Sequence, residues 1–455
     1  MPPLPRRPRR ALTAAVRVAG LAAALLAAGC RPQAPPPRNV ILIVIDTLRA
    51  DHLGVYGYPR NTSPHFDALA RGAALFTNAR SQASCTYPSV NSILTSRYPA
   101  AFFGQPDDAM GIPAAIPSLA DLLRGRGFHT VAISASPIVR QHPSRFNPKG
   151  GFDRGFEVFD EQCIWKSADC MTSEALPHLR RDPARPLFLY LHYLDPHGPY
   201  SPPARLREFA TGPTDKDFIR RGDPNPIADH LYKGGPDPHV TADDLRYLVG
   251  LYDDEIAFFD DQLGKLLRAI DAAGLGGETL LVLAADHGEE FLEHGNVKHC
   301  HSLYDALVHT PLVVRVPGAG PHPPVTAPVE NLDIVPTILD FLHVPAPPSG
   351  LAGRSLRAAI EGEPKSAAPV YQRSAQGSLR SIADGRFKLI HDLDGHGFQL
   401  FDLAHDPGET RDVLTDHRRE LHELRTALAT WLRVDAGVEK SVEADRKLRS
   451  LGYLE

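Results

Sequence analysis

The sequence predicts an α/β fold in which a large, mixed but mostly parallel sheet is sandwiched by helices, with a small α+β subdomain at its C-terminal end. From Asn39 onward, short apolar runs alternate with amphipathic helical stretches. The apolar runs are continuous, as is typical of strands covered on both faces. After about residue 365 the pattern changes to short strands followed by one helix, which indicates a second, smaller layer.

Five apolar runs are the clearest strand candidates: residues 40–45, 131–135, 187–194, 280–285 and 312–316. Residues 243–270 carry apolar side chains at helical spacing and predict a long amphipathic helix. Between residues 204 and 238 the chain is polar and rich in Pro and Gly, which indicates a surface insertion near the entrance of a site. Near the C-terminus, residues 381–393 and 398–403 predict antiparallel strands, and residues 417–434 predict a helix.

The N-terminus predicts export. Five arginines precede an apolar run at residues 18–29, which is too short to span a bilayer and is followed at once by Cys30. The small residues before Cys30 resemble a bacterial lipobox, so we expect a signal peptide at 1–29 and a lipidated Cys30 that anchors the protein to a membrane, facing the periplasm or the cell surface. Residues 30–38 are Pro-rich and predict a tether. The alternative is an ordinary signal peptide with an incidental cysteine.

Charge and cysteine content exclude several classes of protein. The chain has 49 Lys plus Arg against 54 Asp plus Glu, a net charge of -5, which argues against a nucleic-acid partner. Five cysteines without a C-x-x-C pair do not predict a zinc ribbon. Cys163 and Cys170 are close enough in sequence to form a disulfide, with free thiols as the alternative. We expect Cys85 and Cys300 to be packing residues, with a redox role as the alternative.

Polar side chains follow three of the predicted strands. Asp46 ends the first run, His197 follows the run at 187–194, and Asp286 and His287 follow the run at 280–285. Functional residues in open α/β sheets gather at the carboxyl ends of the strands. Two carboxylates and an imidazole suit one divalent cation. For a single Asp the alternative is a helix cap, but three strand ends sharing the pattern favour a site.

Thr86 is the candidate nucleophile. It precedes a predicted helix that has Pro88 in its first turn, so backbone N–H groups and the positive end of the helix dipole would favour an anion at its side chain. A threonine hydroxyl is inert at neutral pH unless its pKa is lowered, and a bound metal ion lowers it. The alternative is that Thr86 is a plain helix N-cap.

Eight motifs in order resemble the sulfatase family of the alkaline phosphatase superfamily, between about residues 39 and 415. Besides the Thr86 segment, they are NVILIVIDTLRADHLGVYGYPRNTSPHFDALA, DPHGPYSPP, YDDEIAFFDDQLGKLL, AADHGEEFLEHG, HSLYDALVHTPLVVRVPG, VENLDIVPTILDFL and LFDLAHDPGET. The resemblance implies an alkaline phosphatase-like catalytic domain at 39–364 and a C-terminal subdomain at 365–455. It also implies an anionic ester substrate.

The departures from the family pattern change the expected chemistry. Family sulfatases carry C-x-P-x-R, whose cysteine becomes formylglycine. Anchoring on LTSRYP places Thr86 on the nucleophile, Pro88 on the proline and Val90 on the arginine, and leaves Cys85 one residue too early. No formylglycine is therefore expected. Thr47 also replaces the second of two adjacent aspartates, which puts Ca²⁺ in doubt and makes Zn²⁺, Mn²⁺ or Mg²⁺ credible.

The resemblance further implies roles for individual residues. The implied metal ligands are Asp46, Thr86, Asp286 and His287. His197 would hold the anion or protonate the leaving oxygen, and His299 and His301 would contact the transferred group, with Lys298 a weaker candidate. We expect His192, His294 and His309 to be structural.

Three functions stay open from the sequence. The first is a metal-dependent hydrolase of sulfate or phosphate esters that forms a covalent threonyl ester. The second is a phosphoethanolamine-type or other phosphoryl transferase, in which an acceptor alcohol resolves that ester. The third is an inactive surface binding protein, which the losses at Val90 and Thr47 would suit.

Overall fold

The computed structural model describes residues 36–435, apart from 103–110, 166, 181–183, 364–367, 376 and 396. The expected signal peptide, Cys30 and most of the expected tether lie outside the described residues. From Pro37 onward the described chain forms one compact unit. In the described part, no helix combines the length and the apolar character needed to cross a membrane.

The strands, in chain order, are β1 (Asn39–Ile45), β2 (Ala74–Phe76), β3 (Ala79–Arg80), β4 (His129–Ser134), β5 (Val158–Asp160), β6 (Leu187–Tyr193), β7 (Thr279–Ala285), β8 (Glu290–Phe291), β9 (Val297–Lys298), β10 (Leu312–Arg315), β11 (Val329–Glu330), β12 (Val370–Arg373), β13 (Leu379–Ala383), β14 (Phe387–Asp392) and β15 (Gly397–Asp402). The α-helices are α1 (Pro64–Arg71), α2 (Thr86–Thr95), α3 (Leu119–Arg124), α4 (Ala168–Leu179), α5 (Asp217–Arg220), α6 (Asn225–Lys233), α7 (Ala242–Ala272), α8 (Asp305–Val308), α9 (Ile334–Phe341), α10 (Arg357–Ile360) and α11 (Arg418–Asp435).

The central sheet has the strand order β2-β10-β7-β1-β6-β4-β5. β7, β1, β6, β4 and β5 run parallel, whereas β10 is antiparallel to both β7 and β2. The register aligns Ile45 with both Ala285 and Tyr193, so the three central strands end at the same level. The polar residues that follow these strands therefore meet at one edge of the sheet, as the sequence predicts.

Both faces of the sheet are covered, which explains the continuous apolar runs. Along β1, Ile41, Ile43 and Ile45 pack with α1, α4 and α7 on one face. Val40, Leu42 and Val44 pack with α2, α3 and α9 on the other face. Each of these β1 side chains is fully buried, and full burial of an aliphatic side chain contributes about 1.5–3 kcal/mol. The predicted layered α/β architecture is confirmed.

Two further elements confirm and refine the prediction. Helix α7 begins at a capping box formed by Thr241 and Asp244 and extends the predicted helix by one or two residues at each end. The polar segment at 204–238 contains the short helices α5 and α6, and Asn225, the first residue of α6, lines the cleft described below.

The C-terminal subdomain is an antiparallel sheet, β12-β13-β14-β15, packed against α11. The predicted antiparallel strands are confirmed, and the run at 381–393 overlaps two of them, β13 and β14, joined as a hairpin. The reason is the Asp384-Gly385 pair, in which Gly385 adopts φ 105°, a conformation that favours glycine. Strand β12 and the short strands β2 and β5 were not predicted, because runs of three or four residues carry little periodicity.

Candidate active site

Thr86 is the first residue of α2, and Cys85 occupies the N-cap position. The alternative interpretation of Thr86 as the N-cap is therefore wrong. The Thr86 side chain is buried, and its Oγ1 lies 3.2 Å from Nε2 of His287. At the first position of a ten-residue helix, the hydroxyl lies at the positive end of the helix dipole.

Strand alternation directs three side chains to the face of the sheet that α2 covers. In β1, β6 and β7 the even-numbered residues face α2, as Val44, Tyr190 and Ala284 show. The next even positions at the strand ends are Asp46, His192 and Asp286. Their ligand atoms all lie within 4.8 Å of one another, and all three side chains are buried.

His287 completes this cluster. Its Nε2 lies 3.5 Å from Oδ1 of Asp46 and 3.5 Å from Oδ2 of Asp286. Its Nδ1 lies 2.9 Å from the carbonyl oxygen of Gly288. Because a carbonyl only accepts, Nδ1 carries the hydrogen, and the lone pair on Nε2 points to Thr86 and the two carboxylates.

The cluster leaves buried polar atoms without partners. Oδ1 of Asp46, Oδ2 of Asp286 and Nε2 of His192 have no hydrogen-bond partner among the described residues. Unpaired buried polar atoms are costly, so three that converge on one point indicate a missing ligand. Two carboxylates and two imidazoles are a donor set that fits one divalent cation, and the imidazoles favour Zn²⁺ or Mn²⁺ over Ca²⁺.

His192 was expected to be a satisfied core residue, and that expectation is wrong. Its Nδ1 bonds the hydroxyl of Tyr190 at 2.8 Å, but its Nε2 is unpaired and lies 3.7 Å from Oδ2 of Asp46. The signal was present in the sequence: His192 is at an even position near the end of a central strand, next to the strand that carries Asp46.

The pKa shifts show how the buried charges in this cluster affect one another. Burial alone would raise the pKa of Asp46, but the nearby imidazoles of His192, His197 and His287 hold it below its usual range. Burial and the charge of Asp46 raise the pKa of Asp286 to about 6. Burial would lower the pKa of His287, yet the carboxylates of Asp286 and Asp46 raise it. A positive charge is thus favoured among these side chains.

Two further histidines line a cleft of about 540 Å³ that contains Thr86 and Asp46. The ring of His299 lies 4.5 Å from the ring of His287 and 5.2 Å from that of His197. Nδ1 of His299 lies 2.9 Å from Oε1 of Glu289, and burial lowers the pKa of His299 to about 4. Nδ1 of His197 lies 2.6 Å from the carbonyl oxygen of Gly198. His197, His299 and Thr86 therefore line the same cleft. The hydrogen bonds described above engage Nδ1 of each ring and leave Nε2 out.

His301 is placed differently. Its Nε2 lies 2.8 Å from Oε2 of Glu290, and it is absent from the lining of the cleft.

Lys298 does line the cleft, and its Nζ donates to Oδ1 of Asn225. His294 stacks on Tyr304 outside the cleft, and Nε2 of His309 bonds the carbonyl oxygen of Thr77. The last two residues are structural, as expected.

The two positions that depart from the family pattern are both buried. Val90 is fully buried in the core between α2 and the sheet, so no cation replaces the expected arginine there. Lys298 is the one lysine or arginine among the described residues that line the cleft. Thr47 adopts φ 54°, and its backbone N–H donates to Oδ1 of Asp286 at 3.3 Å.

Two disulfides join the cysteines of the described chain. Cys163 bonds Cys170, which settles the alternative left open by the sequence. Cys85 bonds Cys300, so the expectation of unbonded packing residues is wrong. The two cysteines are 215 positions apart, and sequence spacing carries no signal for a disulfide at that separation. This disulfide joins the residue before Thr86 to the residue after His299.

Comparisons with known proteins agree with this architecture. The Sulfatase family profile matches residues 38–344, and the profile "N-sulphoglucosamine sulphohydrolase, C-terminal" matches residues 293–434. The ulvan-active sulfatase of Formosa agariphila is 26% identical over 84% of this chain and 78% of its own length. The Delta 4,5-hexuronate-2-O-sulfatase of Bacteroides thetaiotaomicron is 23% identical over 92% of this chain and 93% of its own.

Solved structures show the same fold. The phosphonate monoester hydrolase of Agrobacterium radiobacter matches with a TM-score of 0.68 at 22% identity, over 88% of this chain and 95% of that one. The Sulfatase profile alone covers well over half of the sequence, and it spans every member of the Thr86 cluster. The chain therefore belongs to the sulfatase family and is an ester hydrolase.

Proposed function

We propose that this protein hydrolyses sulfate or phosphate esters with the unmodified hydroxyl of Thr86 as its nucleophile. The observation that carries the proposal is the 3.2 Å contact between Thr86 Oγ1 and His287 Nε2, beside the unpaired atoms of Asp46, His192 and Asp286. A hydroxyl at a helix N-terminus, within reach of a buried anionic cluster that fits a cation, has the surroundings that an alkoxide nucleophile needs.

A divalent cation held by Asp46, Asp286, His192 and His287 would supply Lewis-acid stabilisation of negative oxygen. The protein's own residues arrange the rest. The positive end of the α2 dipole faces the equatorial oxygens of the sulfuryl or phosphoryl group, and it takes part of the role of the arginine that Val90 replaces. Lys298 lines the same cleft and adds a positive charge.

The reaction then has two stages. Thr86 releases its proton to solvent water, Oγ1 forms a bond to sulfur or phosphorus, and the bond to the leaving alcohol oxygen breaks. His197, in its protonated form, donates a proton to the departing oxygen. In the second stage water attacks sulfur or phosphorus and gives up a proton, the bond to Oγ1 breaks, and Thr86 takes a proton back from solvent water. His299 suits the role of base in this stage, because its Nδ1–H is engaged by Glu289 and its Nε2 lone pair is free.

His301 keeps a supporting role in this proposal. Its contact with Glu290 fixes the loop that carries His299, so it acts on His299 rather than on substrate. A phosphoryl transferase remains an alternative outcome of the test, since it differs only in the acceptor that resolves the threonyl ester. If the protein is an inactive binding protein, no substrate of the panel should be turned over.

Turnover of a substrate panel tests the proposal. Purified protein, loaded in turn with Zn²⁺, Mn²⁺, Mg²⁺ and Ca²⁺, is assayed with aryl sulfate, aryl phosphate, aryl phosphodiester and aryl phosphonate esters, with added alcohols in a parallel series. The expected result is metal-dependent turnover that Thr86→Ala abolishes, with water as the acceptor. Quenched turnover followed by peptide mass spectrometry should locate the ester on Thr86. Modification of another residue, or full activity of Thr86→Ala, would refute the nucleophile.

We also propose that the protein is exported and anchored by a lipid on Cys30, on the strength of the sequence between residues 18 and 30. Expression in a bacterial host with Cys30→Ser as the comparison tests it. The wild-type protein should fractionate with membranes and carry an acylated N-terminal Cys30, whereas the variant should be released. Equal fractionation of the two proteins would contradict the anchor.

A further inference from the structure

Trp165 is an exposed aromatic residue beside the nucleophile. The chain has two tryptophans, and the Trp165 side chain is 49% exposed at the wall of the cleft that contains Thr86. Its ring packs edge-on against Phe146, with centroids 5.2 Å apart. A large exposed aromatic surface in a cleft is unfavourable in water and indicates a contact with a ligand.

The backbone holds Trp165 in this position. Its φ of 62° is rare for a bulky residue, and conformations of this kind concentrate at functional sites. The N–H of Trp165 donates to the carbonyl oxygen of Ala135 at 3.1 Å. The Cys163–Cys170 disulfide closes the short loop around it. The indole is therefore presented by a constrained loop.

A second, smaller cavity of about 160 Å³ adjoins the cleft at Trp165. Trp165, His197, Gly198 and Pro199 line both spaces. The small cavity also contains the carboxyl groups of Asp195 and Glu255, whose residues are 8% and 5% exposed. A group that enters it would therefore lie a short distance from an ester bound at Thr86.

The two carboxyl groups lie against each other, and Asp195 also accepts a hydrogen bond from the backbone N–H of Ala168, but one oxygen of each carboxyl group has no partner. Neither Oδ2 of Asp195 nor Oε2 of Glu255 receives a hydrogen bond from a described donor, although Oε1 of Glu255 accepts from the N–H of Ser201 at 2.6 Å. Burial raises the pKa of Asp195 to about 6, and burial with the charge of Asp195 raises that of Glu255. Arg207 opposes the shift of Glu255 without cancelling it. A cation in the cavity would offset both the burial and the repulsion between the two carboxylates.

We propose that this cavity is a subsite for a small ammonium group, and that the preferred ester carries a primary or methylated amine on its alcohol portion. An aromatic face and paired carboxylates are the two features by which proteins bind ammonium groups. The cavity is smaller than the 300–1,000 Å³ typical of sites for larger ligands, so it suits a compact cation better than a sugar ring. This inference rests on the proposed function for the reacting end of the substrate.

A matched substrate pair measures the subsite through turnover. The 2-aminoethyl and 2-hydroxyethyl esters of the acid that proves active are compared, with an aryl ester as the reference that lacks an amine. We expect kcat/KM to favour the aminoethyl ester by about tenfold or more. Trp165→Leu and Glu255→Gln should each remove most of that preference while the aryl ester is still turned over.

Control variants separate the subsite from general effects. Asp215→Asn removes a carboxylate whose side chain is 91% exposed and should leave the preference unchanged. Because Trp165→Leu alters an exposed side chain, this variant should fold normally. It therefore still tests the subsite if the Glu255→Gln variant fails to fold. Equal kcat/KM for the two esters, or a preference that survives both Trp165→Leu and Glu255→Gln, would overturn the proposal.

Binding without turnover provides an independent readout. In a Trp431→Phe background Trp165 is the remaining tryptophan, and its fluorescence should change on titration with ethanolamine or tetramethylammonium chloride but not with ethylene glycol. The response should persist in the Thr86→Ala variant. Ester hydrolysis without this fluorescence response would contradict the proposed ammonium subsite and leave the proposed function intact. A fluorescence response without turnover of any ester would support the ammonium subsite and contradict the proposed function.

Discussion

Oγ1 of Thr86 lies 3.2 Å from Nε2 of His287, although 201 residues separate the two in the sequence. The contact exists because β7 ends level with β1, and α2 packs on the face of the sheet to which the residues after these strands point. The same arrangement brings Asp46 and Asp286 within reach of His287. The Thr86 hydroxyl, the imidazole and the carboxylates are therefore positioned by strands and a helix rather than by flexible loops.

Removing the Thr86 hydroxyl should abolish turnover without removing the metal site. Thr86→Val keeps the β-branched shape of a buried side chain, so the fold should be retained, and kcat/KM should fall by at least about 1,000-fold. Thr86→Ser keeps a hydroxyl and should retain measurable activity. Steady-state kinetics and metal content are measured on the same samples. Loss of metal in Thr86→Val equal to that in Asp46→Asn would contradict a separate role for the hydroxyl.

His192 should prove to be a metal ligand. His192→Asn removes the unpaired Nε2 that faces Asp46 and should weaken the affinity for Zn²⁺ or Mn²⁺ by about 100-fold. His301→Asn is the matched control, because His301 bonds Glu290 outside the cleft and should leave metal affinity unchanged. Competition with a chelator of known affinity measures both variants. Equal affinities in wild type and His192→Asn would show that His192 is structural.

The sequence predicted the parts of this site that depend on strand ends. Asp46, Asp286 and His287 follow central strands, and the rule that such residues meet at one edge of the sheet needs no knowledge of side-chain contacts. Thr86 was predicted to be the nucleophile because the positive end of a helix and a bound metal ion together would explain a reactive hydroxyl, and this role stays a prediction. The large domain was predicted for a similar reason, since continuous apolar runs require cover on both faces.

The remaining features depend on tertiary contacts that the sequence does not display. His192 reads as a core residue until the neighbouring strand is known to carry Asp46. His299 and His301 are two residues apart, yet one faces His287 and the other faces Glu290, because the backbone of Cys300 between them adopts φ 79°. The pairing of Asp195 with Glu255 requires α7 to pass beneath the end of β6, which no local pattern reveals.

Glu330 should make the stability of the protein fall with rising pH. Burial and the charge of Asp333 raise the pKa of Glu330 to about 8, against a usual value near 4.5. The folded state therefore holds this proton more tightly than the unfolded state, and its stabilising effect is complete below about pH 4.5 and is lost as pH rises to about 8. Between those limits the free energy of unfolding should decrease by on the order of 4 kcal/mol.

Glu330→Gln isolates this effect. The hydroxyl of Tyr98 and the backbone N–H of Tyr371 both donate to Glu330, and glutamine keeps an acceptor for them without a proton to lose. Denaturant unfolding at pH 5 and pH 8 should show a smaller decrease in the variant than in the wild type. Identical pH dependence in the two proteins would mean that Glu330 titrates normally in the folded state.

The Cys85–Cys300 disulfide should affect both stability and catalysis, whereas Cys163–Cys170 should affect stability less. The first closes a loop of 215 residues and the second a loop of 7, so the chain-entropy argument assigns them about 5 and about 2–3 kcal/mol. The double variant Cys85→Ala/Cys300→Ala also removes the covalent link between the residue before Thr86 and the residue after His299, so the distance between these two side chains can change. We expect kcat to fall by about 10- to 100-fold, since small displacements of reacting groups are costly. Cys163→Ala/Cys170→Ala is the matched control. Equal kcat for the two double variants, measured with an aryl ester well below their unfolding temperatures, would show that the first disulfide does not position the site.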